Sequence, residues 1–258
     1  MSETPLGRFC WYELLTTDPD AAPGFYAQVA GWGTAPWDGA GGQPYTMWTN
    51  GETTIGGIMK LPEEVAGAGT PPHWLAHAAT PDLEATIAKV KELGGRVLNV
   101  IEVPEVGRFA IVQDPQGAIV SAYQPTGDAP GHDAPAAVGE FSWHELVTDG
   151  WEDAWSFYSQ VFGWQEVDRM DMGDMGVYQM WGRGAQPLGG MMNRPADMPV
   201  SAWMYYVRVP DVNAALEKVT ALGGKVLNGP MEVPGGDTIA QCLDPQGAAF
   251  AVHATAQA

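Results

Sequence analysis

Hydrophobic and polar positions alternate with two different periods along the chain, and each change of period marks a new element. In "FCWYELLT", residues 9–16, Phe9, Trp11 and Glu13 fall on one side of a period of two, which predicts a β-strand. In the following segment, "DPDAAPGFYAQVAGW", apolar residues recur at helical spacing after Asp18. This pattern predicts a helix with Asp18 as its N-cap.

The same alternation of strand and helix periods continues through the rest of the first half of the chain. The segments around "YTMW" and "TIGGIM" have a period of two, and a Pro-rich loop leads to another strand, "HWLAHAA" at residues 73–79. A second helix is predicted from Pro81 to the pair Gly94 and Gly95, followed by strands around "RVLN", "GRFAIVQD" and "GAIVSAYQ". The first half therefore consists of two βαβββ modules, which defines an α+β fold.

The second half of the chain repeats the first. The segment "GRFCWYELL" from Gly7 aligns without gaps with "GEFSWHELV" from Gly139, and "PDLEATIAKVKELGGRVLN" aligns with "PDVNAALEKVTALGGKVLN". The pentapeptide "DPQGA" occurs at residues 114–118 and again at 244–248. This internal duplication predicts four βαβββ modules in the chain.

The duplication also sets the predicted domain boundaries. We expect a first domain at residues 1–126 and a second at residues 139–258, joined by a linker at residues 127–138 that is rich in Pro, Gly and Ala. In each half "DPQGA" precedes the last predicted strand. Its Pro and Gly suit a tight turn and its Asp can bond the nearby backbone, which predicts a structural role.

Composition and charge narrow the classes of function. The chain has 258 residues, 45% of them hydrophobic, and no apolar run approaches the roughly 20 residues of a membrane span. A net charge of -19 argues against nucleic acid and anionic membranes as partners, because both would repel the protein. Two cysteines and the lack of a basic segment followed by an apolar one at the N-terminus predict a cytoplasmic protein.

These landmarks resemble the vicinal oxygen chelate superfamily, which comprises glyoxalase I, bleomycin resistance proteins and extradiol dioxygenases. The resemblance rests on the opening strand, "D…FY…GW" around the first helix, "D…GG" around the second and "DP.G" before the last strand, all found twice. "GRFAIVQDPQGAIVSAYQP" is similar to duplicated actinobacterial glyoxalase-like proteins. The resemblance implies two glyoxalase-like half-barrel domains in tandem, each with a cleft.

Metal-dependent members of this superfamily draw His, Glu or Gln ligands from the first strand, a middle strand, the strand before the second helix and the last strand. The corresponding positions here are indole, aliphatic, phenol or hydroxyl side chains, and the middle strands carry no carboxylate or imidazole. The residues that occupy these positions are Trp11, Trp143, Ser121 and Ala251, with the third position near Ala76 and Tyr205. This departure argues against metal-dependent catalysis and predicts neither a metal nor another cofactor.

The side chains expected to line the two clefts are mainly aromatic, as in pockets that bind small molecules. The predicted substrate-binding residues are Trp11, Tyr45, Trp48, Trp74, Ser121, Trp143, Tyr178, Trp181, Trp203, Tyr205 and His253. The alternative is that these aromatic rings fill the cores between modules. His73 and His77 are expected to point away from the cleft, on the face opposite Trp74.

Glu13 and Glu145 lie two residues beyond Trp11 and Trp143, on the same face of an apolar strand. A carboxylate in that setting is expected to have a raised pKa, which suits a general base. The alternative is a structural hydrogen bond or salt bridge.

Two functions follow from these residues. One is a metal-free protein that binds a small hydrophobic or aromatic molecule, as bleomycin resistance proteins do. The other is a metal-independent lyase, isomerase or hydroxylase-like enzyme in which Glu13 or Glu145 moves a proton. Four modules in one chain can complete both half-barrels, so we expect a monomer or a homodimer.

Overall fold

The four predicted modules are present, and each begins with a strand and a helix. The computed structural model describes residues 4–39 and 44–256. In the first half the elements are β1 (Phe9–Thr16), α1 (Ala22–Val29), β2 (Gly33–Asp38), β3 (Pro44–Asn50), β4 (Thr53–Lys60), α2 (Glu63–Gly67), β5 (His73–Ala79), α3 (Leu83–Glu92), β6 (Arg96–Val103), β7 (Gly107–Gln113) and β8 (Ile119–Pro125). In the second half they are β9 (Phe141–Thr148), α4 (Trp151–Phe162), β10 (Gln165–Asp171), β11 (Val177–Gly182), β12 (Pro187–Asn193), β13 (Ala202–Arg208), α5 (Val212–Ala221), β14 (Lys225–Glu232), β15 (Thr238–Leu243) and β16 (Ala249–Ala254).

The strands form two eight-stranded sheets of the same topology. Their orders are β2-β3-β4-β1-β5-β8-β7-β6 and β10-β11-β12-β9-β13-β16-β15-β14. Within each module the first strand pairs in parallel with the last, for example β1 with β4 and β9 with β12, whereas the three later strands form an antiparallel meander. The α+β class and the four βαβββ modules are therefore confirmed.

Contacts between Cα atoms divide the chain into two compact units that do not follow the two sequence halves. Unit 1 comprises Met1–Trp11, Ala76–Asp133 and Trp143–Trp203. Unit 2 comprises Tyr12–Leu75, Ala134–Ser142 and Met204–Ala258. Helix α3 packs on α4 in unit 1, and α1 packs on α5 in unit 2. The domain boundaries at residues 126 and 139 stay a prediction.

Helices α1 and α3 begin close to where the sequence predicts, but the expected N-cap of α1 is corrected. Helix α1 starts at Ala22 with Ala21 as its N-cap. The Asp18 carboxylate instead accepts a hydrogen bond of 3.1 Å from the N–H of Ala21, in the turn that precedes the helix. Asp82, by contrast, caps α3 by accepting from the Ala85 N–H. A short helix, α2, also occupies part of the Pro-rich loop.

The repeated "DPQGA" turn connects the last strand of one module to a helix of another. In unit 1, Asp114 Oδ1 accepts hydrogen bonds from the Gln116 and Ala118 N–H groups, and Oδ2 accepts one of 3.0 Å from Tyr158 Oη on α4. In unit 2, Asp244 makes the equivalent turn and accepts from Tyr26 on α1 at 3.1 Å. The predicted structural role of the turn thus includes a buried link between modules.

Each unit has its own aromatic core. In unit 1 the Trp164 and Trp181 rings stack at 3.8 Å, and Phe9 packs against both. In unit 2 the Tyr12 and Phe141 rings stack at 3.7 Å. No helix in the described part of the chain is both long enough and apolar enough to span a membrane.

Candidate functional site

Several of the aromatic residues expected in the clefts are packed within these aromatic cores. Trp74 Nε1 donates to Tyr26 Oη at 3.0 Å, and Trp203 Nε1 donates to Tyr158 Oη at 3.1 Å, so both rings pack against helices. The others that lie in a core are Trp48, Trp181 and Tyr205, each almost fully buried. The alternative interpretation, that such rings fill the interior, describes their placement, and a role for them in binding stays a prediction.

The two faces of β5 have different surroundings. Side chains alternate along a strand, so His77, three positions after the helix-packed Trp74, points to the other face. His77 pairs with Ser121 on β8, and its ring contacts the edge of Phe109 at 5.2 Å. Ser121 is buried, and its Oγ donates to the Ala122 carbonyl at 3.4 Å. His77 thus lies on the face opposite Trp74, as expected, and which of the two faces lines the cleft stays a prediction.

In unit 1, three of the predicted residues do come together, and we call Trp143, Glu145 and Tyr178 the β9–β11 triad. Trp143 Nε1 donates to Tyr178 Oη at 2.8 Å, and Tyr178 Oη donates to Glu145 Oε1 at 2.9 Å. Glu145 is only 8% exposed, whereas Trp143 and Tyr178 are half-buried. A tryptophan and a tyrosine thus present partly exposed rings beside a buried carboxylate.

Unit 2 repeats the carboxylate–phenol part of this arrangement. Tyr45 Oη on β3 donates to Glu13 Oε2 on β1 at 2.8 Å, and Glu13 is 7% exposed. We call these residues the Glu13–Tyr45 pair. Trp11, the counterpart of Trp143, is half-buried on β1 two residues before Glu13. The same carboxylate–phenol hydrogen bond therefore stands at equivalent positions of both halves.

Both tyrosines lie over a glycine of the neighbouring strand. A Cβ atom at Gly57 would overlap the Tyr45 hydroxyl, and one at Gly190 would overlap the Tyr178 ring. These glycines belong to the "TIGGIM" and "PLGGMM" strands, which carry no carboxylate or imidazole. Sequence reasoning missed their role, although the repeated Gly-Gly pair was a visible sign of close approach.

Gly190→Ala is expected to displace the Tyr178 ring and break its hydrogen bonds, because the new methyl group would occupy the position of the ring. Overpacking of this kind costs about 1–3 kcal/mol of stability. The measurement is a ¹H–¹⁵N spectrum in which the indole N–H signal of Trp143, assigned with Trp143→Phe, shifts towards that of a solvent-exposed indole. Gly184→Ala is the control, since a Cβ there meets nothing. An unchanged Trp143 signal in Gly190→Ala would contradict the expectation.

His253, the remaining predicted residue, lies in unit 2 between two polar side chains that sequence reasoning did not select. Its Nδ1 is 2.8 Å from Ser142 Oγ on β9, and its Nε2 is 2.8 Å from Asp237 Oδ2, just before β15. Asp237 belongs to the loop "GGDT", where nothing in the local pattern marks it.

Taken together, two sheets of βαβββ modules with a repeated site on their first and middle strands define a duplicated glyoxalase-like protein. A model of the Glyoxalase/Bleomycin resistance protein/Dioxygenase superfamily matches residues 140–252, and a model of a glyoxalase-like domain matches residues 12–121. The chain belongs to this superfamily.

Relatives match the chain over nearly its whole length. It is 33% identical over 254 residues to CFP32, a proposed glyoxylase of Mycobacterium tuberculosis, and the alignment covers 97% of this chain and 96% of that protein. It is 29% identical over 259 residues to the anthracycline biosynthesis protein DnrV of Streptomyces peucetius, covering 95% of this chain and 92% of that protein.

Solved structures share the fold at low sequence identity. The Mn(II)-bound glyoxalase of Novosphingobium aromaticivorans gives a TM-score of 0.64 at 17% identity, covering 100% of this chain and 84% of that chain. The homoprotocatechuate 2,3-dioxygenase of Brevibacterium fuscum gives 0.67 at 14% identity, covering 99% of this chain and 82% of that chain. These similarities show the fold alone.

The side chains of this chain do not fit a metal ion of the kind that such a glyoxalase holds. Across residues 4–39 and 44–256, no group of three or more His, Cys, Asp or Glu side chains is placed to hold an ion. At the first-strand position, the indole N–H of Trp143 is a donor that is already committed to Tyr178, and an indole offers no metal ligand.

Proposed function

We propose that this protein binds a small aromatic molecule and that the β9–β11 triad forms part of its binding surface. The observation that carries the proposal is the tyrosine–glutamate hydrogen bond, which recurs as Tyr178 to Glu145 and Tyr45 to Glu13. A structural salt bridge would explain one buried glutamate. It does not explain why each carboxylate is paired with a partly exposed phenol over a glycine.

The triad offers three kinds of contact to such a molecule. The Trp143 and Tyr178 rings offer apolar faces for stacking. The Tyr178 hydroxyl already donates to Glu145 and accepts from Trp143, so its orientation is fixed before a ligand arrives. An ordered polar group beside aromatic surface lowers the entropic cost of binding. The similarity to an anthracycline biosynthesis protein supports an aromatic polycyclic ligand.

The proposal is tested by titrating the protein with an anthracycline while following tryptophan fluorescence. Saturable quenching is expected, and Trp143→Ala should weaken binding by about 30-fold, as for a buried aromatic anchor. Tyr178→Phe removes the hydroxyl that accepts from Trp143 and donates to Glu145, and should weaken binding about tenfold. Glu152→Gln, an exposed change on α4, is the control and should leave affinity unchanged. Binding that is indifferent to Trp143 and Tyr178 would overturn the proposal.

The equivalent residues of the other half decide whether one or two molecules bind. If the Glu13–Tyr45 pair serves a second site, Tyr45→Phe should weaken one of two binding events and leave the other intact. If only the β9–β11 triad binds, Tyr45→Phe should have no effect on a single event. The stoichiometry of calorimetric titration distinguishes these outcomes.

A second candidate function is proton transfer by Glu145, which its burial beside a phenol favours. In that enzyme the Glu145 carboxylate would receive a proton from the bound molecule, directly or through Tyr178 Oη. Glu145→Gln should then abolish conversion of the ligand, followed by mass spectrometry, while affinity falls by less than about tenfold. Stoichiometric binding with no conversion in the wild type favours the binding protein.

The remaining expectations are part of the same proposal. A net charge of -19 supports a small-molecule ligand rather than nucleic acid or an anionic membrane. A cytoplasmic monomer or homodimer is the assembly proposed.

A further inference from the structure

Ser142, His253 and Asp237 form a continuous hydrogen-bonded line in unit 2. Ser142 Oγ lies 2.8 Å from His253 Nδ1, and His253 Nε2 lies 2.8 Å from Asp237 Oδ2. The His253 side chain is 15% exposed and that of Asp237 is 35% exposed. Ser142 is half-buried. The line therefore runs from the interior of β9 to the protein surface.

The carboxylate end of this line fixes the tautomer of the ring. Burial raises the pKa of Asp237, but the Ala256 N–H and the His253 ring outweigh this effect and hold its pKa below the usual value. An ionised carboxylate can only accept hydrogen bonds, so the proton of a neutral His253 lies on Nε2. Nδ1 is then an acceptor, and the Ser142 hydroxyl must donate to it.

The hydroxyl has a second acceptor for its proton. Ser142 Oγ is also 3.3 Å from the Tyr206 carbonyl oxygen. When Nδ1 carries a proton, that N–H can donate to Oγ while the hydroxyl hydrogen turns to the carbonyl. The hydroxyl therefore has a hydrogen-bonding partner in both protonation states of the imidazole. A serine beside an imidazole base that is oriented by a carboxylate is the arrangement that activates a serine nucleophile.

We propose that Ser142 is an activated nucleophile that accepts the acyl group of a carboxylic ester, with His253 as general base and Asp237 as its positioning residue. Ser142 Oγ forms a bond to the ester carbonyl carbon while its proton passes to His253 Nδ1. The bond from that carbon to the leaving oxygen then breaks, and the leaving alcohol takes the proton from Nδ1. Water hydrolyses the acyl-serine by the same proton transfers, which restores the free hydroxyl. Phenyl esters suit this step, because a phenol is a better leaving group than an alkyl alcohol.

The first half of the chain supplies an internal comparison. The alignment of the halves places Cys10 opposite Ser142 and Tyr123 opposite His253. Cys10 Sγ donates to the His77 carbonyl at 3.4 Å, and Tyr123 Oη donates to the Val106 carbonyl at 3.0 Å. Burial raises the pKa of the Cys10 thiol to about 12, so it stays a thiol and is a poor nucleophile. The contact to the backbone is shared, whereas the imidazole–carboxylate relay belongs to the second half.

The test uses a fluorophosphonate probe and p-nitrophenyl acetate on the full chain. The wild type should incorporate one probe per chain at Ser142, located by peptide mass spectrometry, and should release a burst of p-nitrophenol close to one equivalent. Ser142→Ala should abolish both. His253→Gln should slow labelling by about 10²-fold or more, the contribution of a general base. Asp237→Asn should slow labelling while shifting its pH profile, which a purely structural residue would not do.

Cys10→Ala is the matched control and should label and turn over as the wild type does. Circular dichroism of each variant shows whether a loss of labelling comes from the missing nucleophile or from unfolding of the protein. If the folded wild type takes up no probe at Ser142, or if Ser142→Ala retains the burst, the proposal is overturned. Failure of this proposal is distinguishable from failure of the anthracycline proposal, because probe incorporation is located at Ser142 whereas anthracycline affinity is tested with Trp143→Ala and Tyr178→Phe.

Discussion

Asp114→Ala is expected to lower the free energy of unfolding by about 3–5 kcal/mol, the range for breaking a buried charged network. The substitution removes the acceptor for two backbone N–H groups of the "DPQGA" turn and for the Tyr158 hydroxyl. The Ala118 N–H and the Tyr158 hydroxyl are buried and the Gln116 N–H is part-buried, and each unsatisfied buried donor costs about 1–3 kcal/mol. Urea denaturation at pH 7.5, followed by circular dichroism, measures the change.

Two further variants separate the turn from the link between modules. Asp114→Asn keeps an oxygen for the backbone N–H groups, so it should cost less than Asp114→Ala. Tyr158→Phe leaves the turn intact and removes the hydroxyl, which donates to Asp114 and accepts from the Trp203 indole N–H, with an expected cost of about 1–3 kcal/mol. Asp174→Ala, at an exposed position of the same unit, should stay within about 0.5 kcal/mol of wild type. A loss below 1 kcal/mol in Asp114→Ala would show that the turn closes without its carboxylate.

This network illustrates what the sequence could predict and what it could not. The turn itself was predictable, because Pro, Gly and Asp carry their conformational preferences locally. Its partner was not, since Tyr158 is 44 residues from Asp114, and Tyr26 is 218 residues from Asp244. Only the packing of one module's helix on the last strand of another brings each pair together.

For the candidate site, too, the sequence identified individual residues but not the long-range contacts that they make. Glu13 and Glu145 were identified because a carboxylate interrupts an apolar strand, and their tyrosine partners were among the residues predicted. Trp74 and Trp203 were expected in the clefts, but each indole N–H is satisfied by a helix tyrosine. Strand alternation leaves the choice of face open, and an error of one residue reverses every assignment.

The Ser142–His253–Asp237 line shows a further limit. Ser142 aligns with a cysteine and Asp237 lies in a Gly-rich loop, so no local sequence motif marks either residue. His253 was selected only because it alternates with the cleft position at Ala251. Converging polar side chains from β9, β16 and a loop can be recognised only when the strand register is known.

Acid is expected to destabilise the protein through its buried histidines, with His77 making the clearest contribution. Burial lowers the pKa of His77 from 6.5 to about 3 and that of His144 to about 4. Below pH 6.5 the unfolded chain binds a proton at His77 that the folded chain does not bind. Stability therefore falls as the pH decreases from 6.5 towards 3, and the loss at pH 5.0 is about 2 kcal/mol for this residue.

His77→Leu isolates this contribution. In the structure both His77 ring nitrogens are buried and no described residue hydrogen-bonds to either of them, so leucine removes a titrating group without breaking a side-chain hydrogen bond to the described residues. The difference in unfolding free energy between His77→Leu and wild type should grow by about 2 kcal/mol in favour of leucine from pH 7.5 to pH 5.0. Ser121→Ala, on the neighbouring strand, should give the same difference from wild type at both pH values.

The buried aspartates act in the opposite direction, which is why the comparison between variants is needed. Burial raises the pKa of Asp114 and Asp244 above 3.8, so the folded chain binds these protons more readily and gains stability on acidification above pH 3.8. The pH dependence of wild-type stability alone sums the contributions of the histidines and the aspartates. Subtracting the His77→Leu profile cancels the aspartates, and a difference that does not change between pH 7.5 and pH 5.0 would mean that His77 accepts a proton in the folded protein.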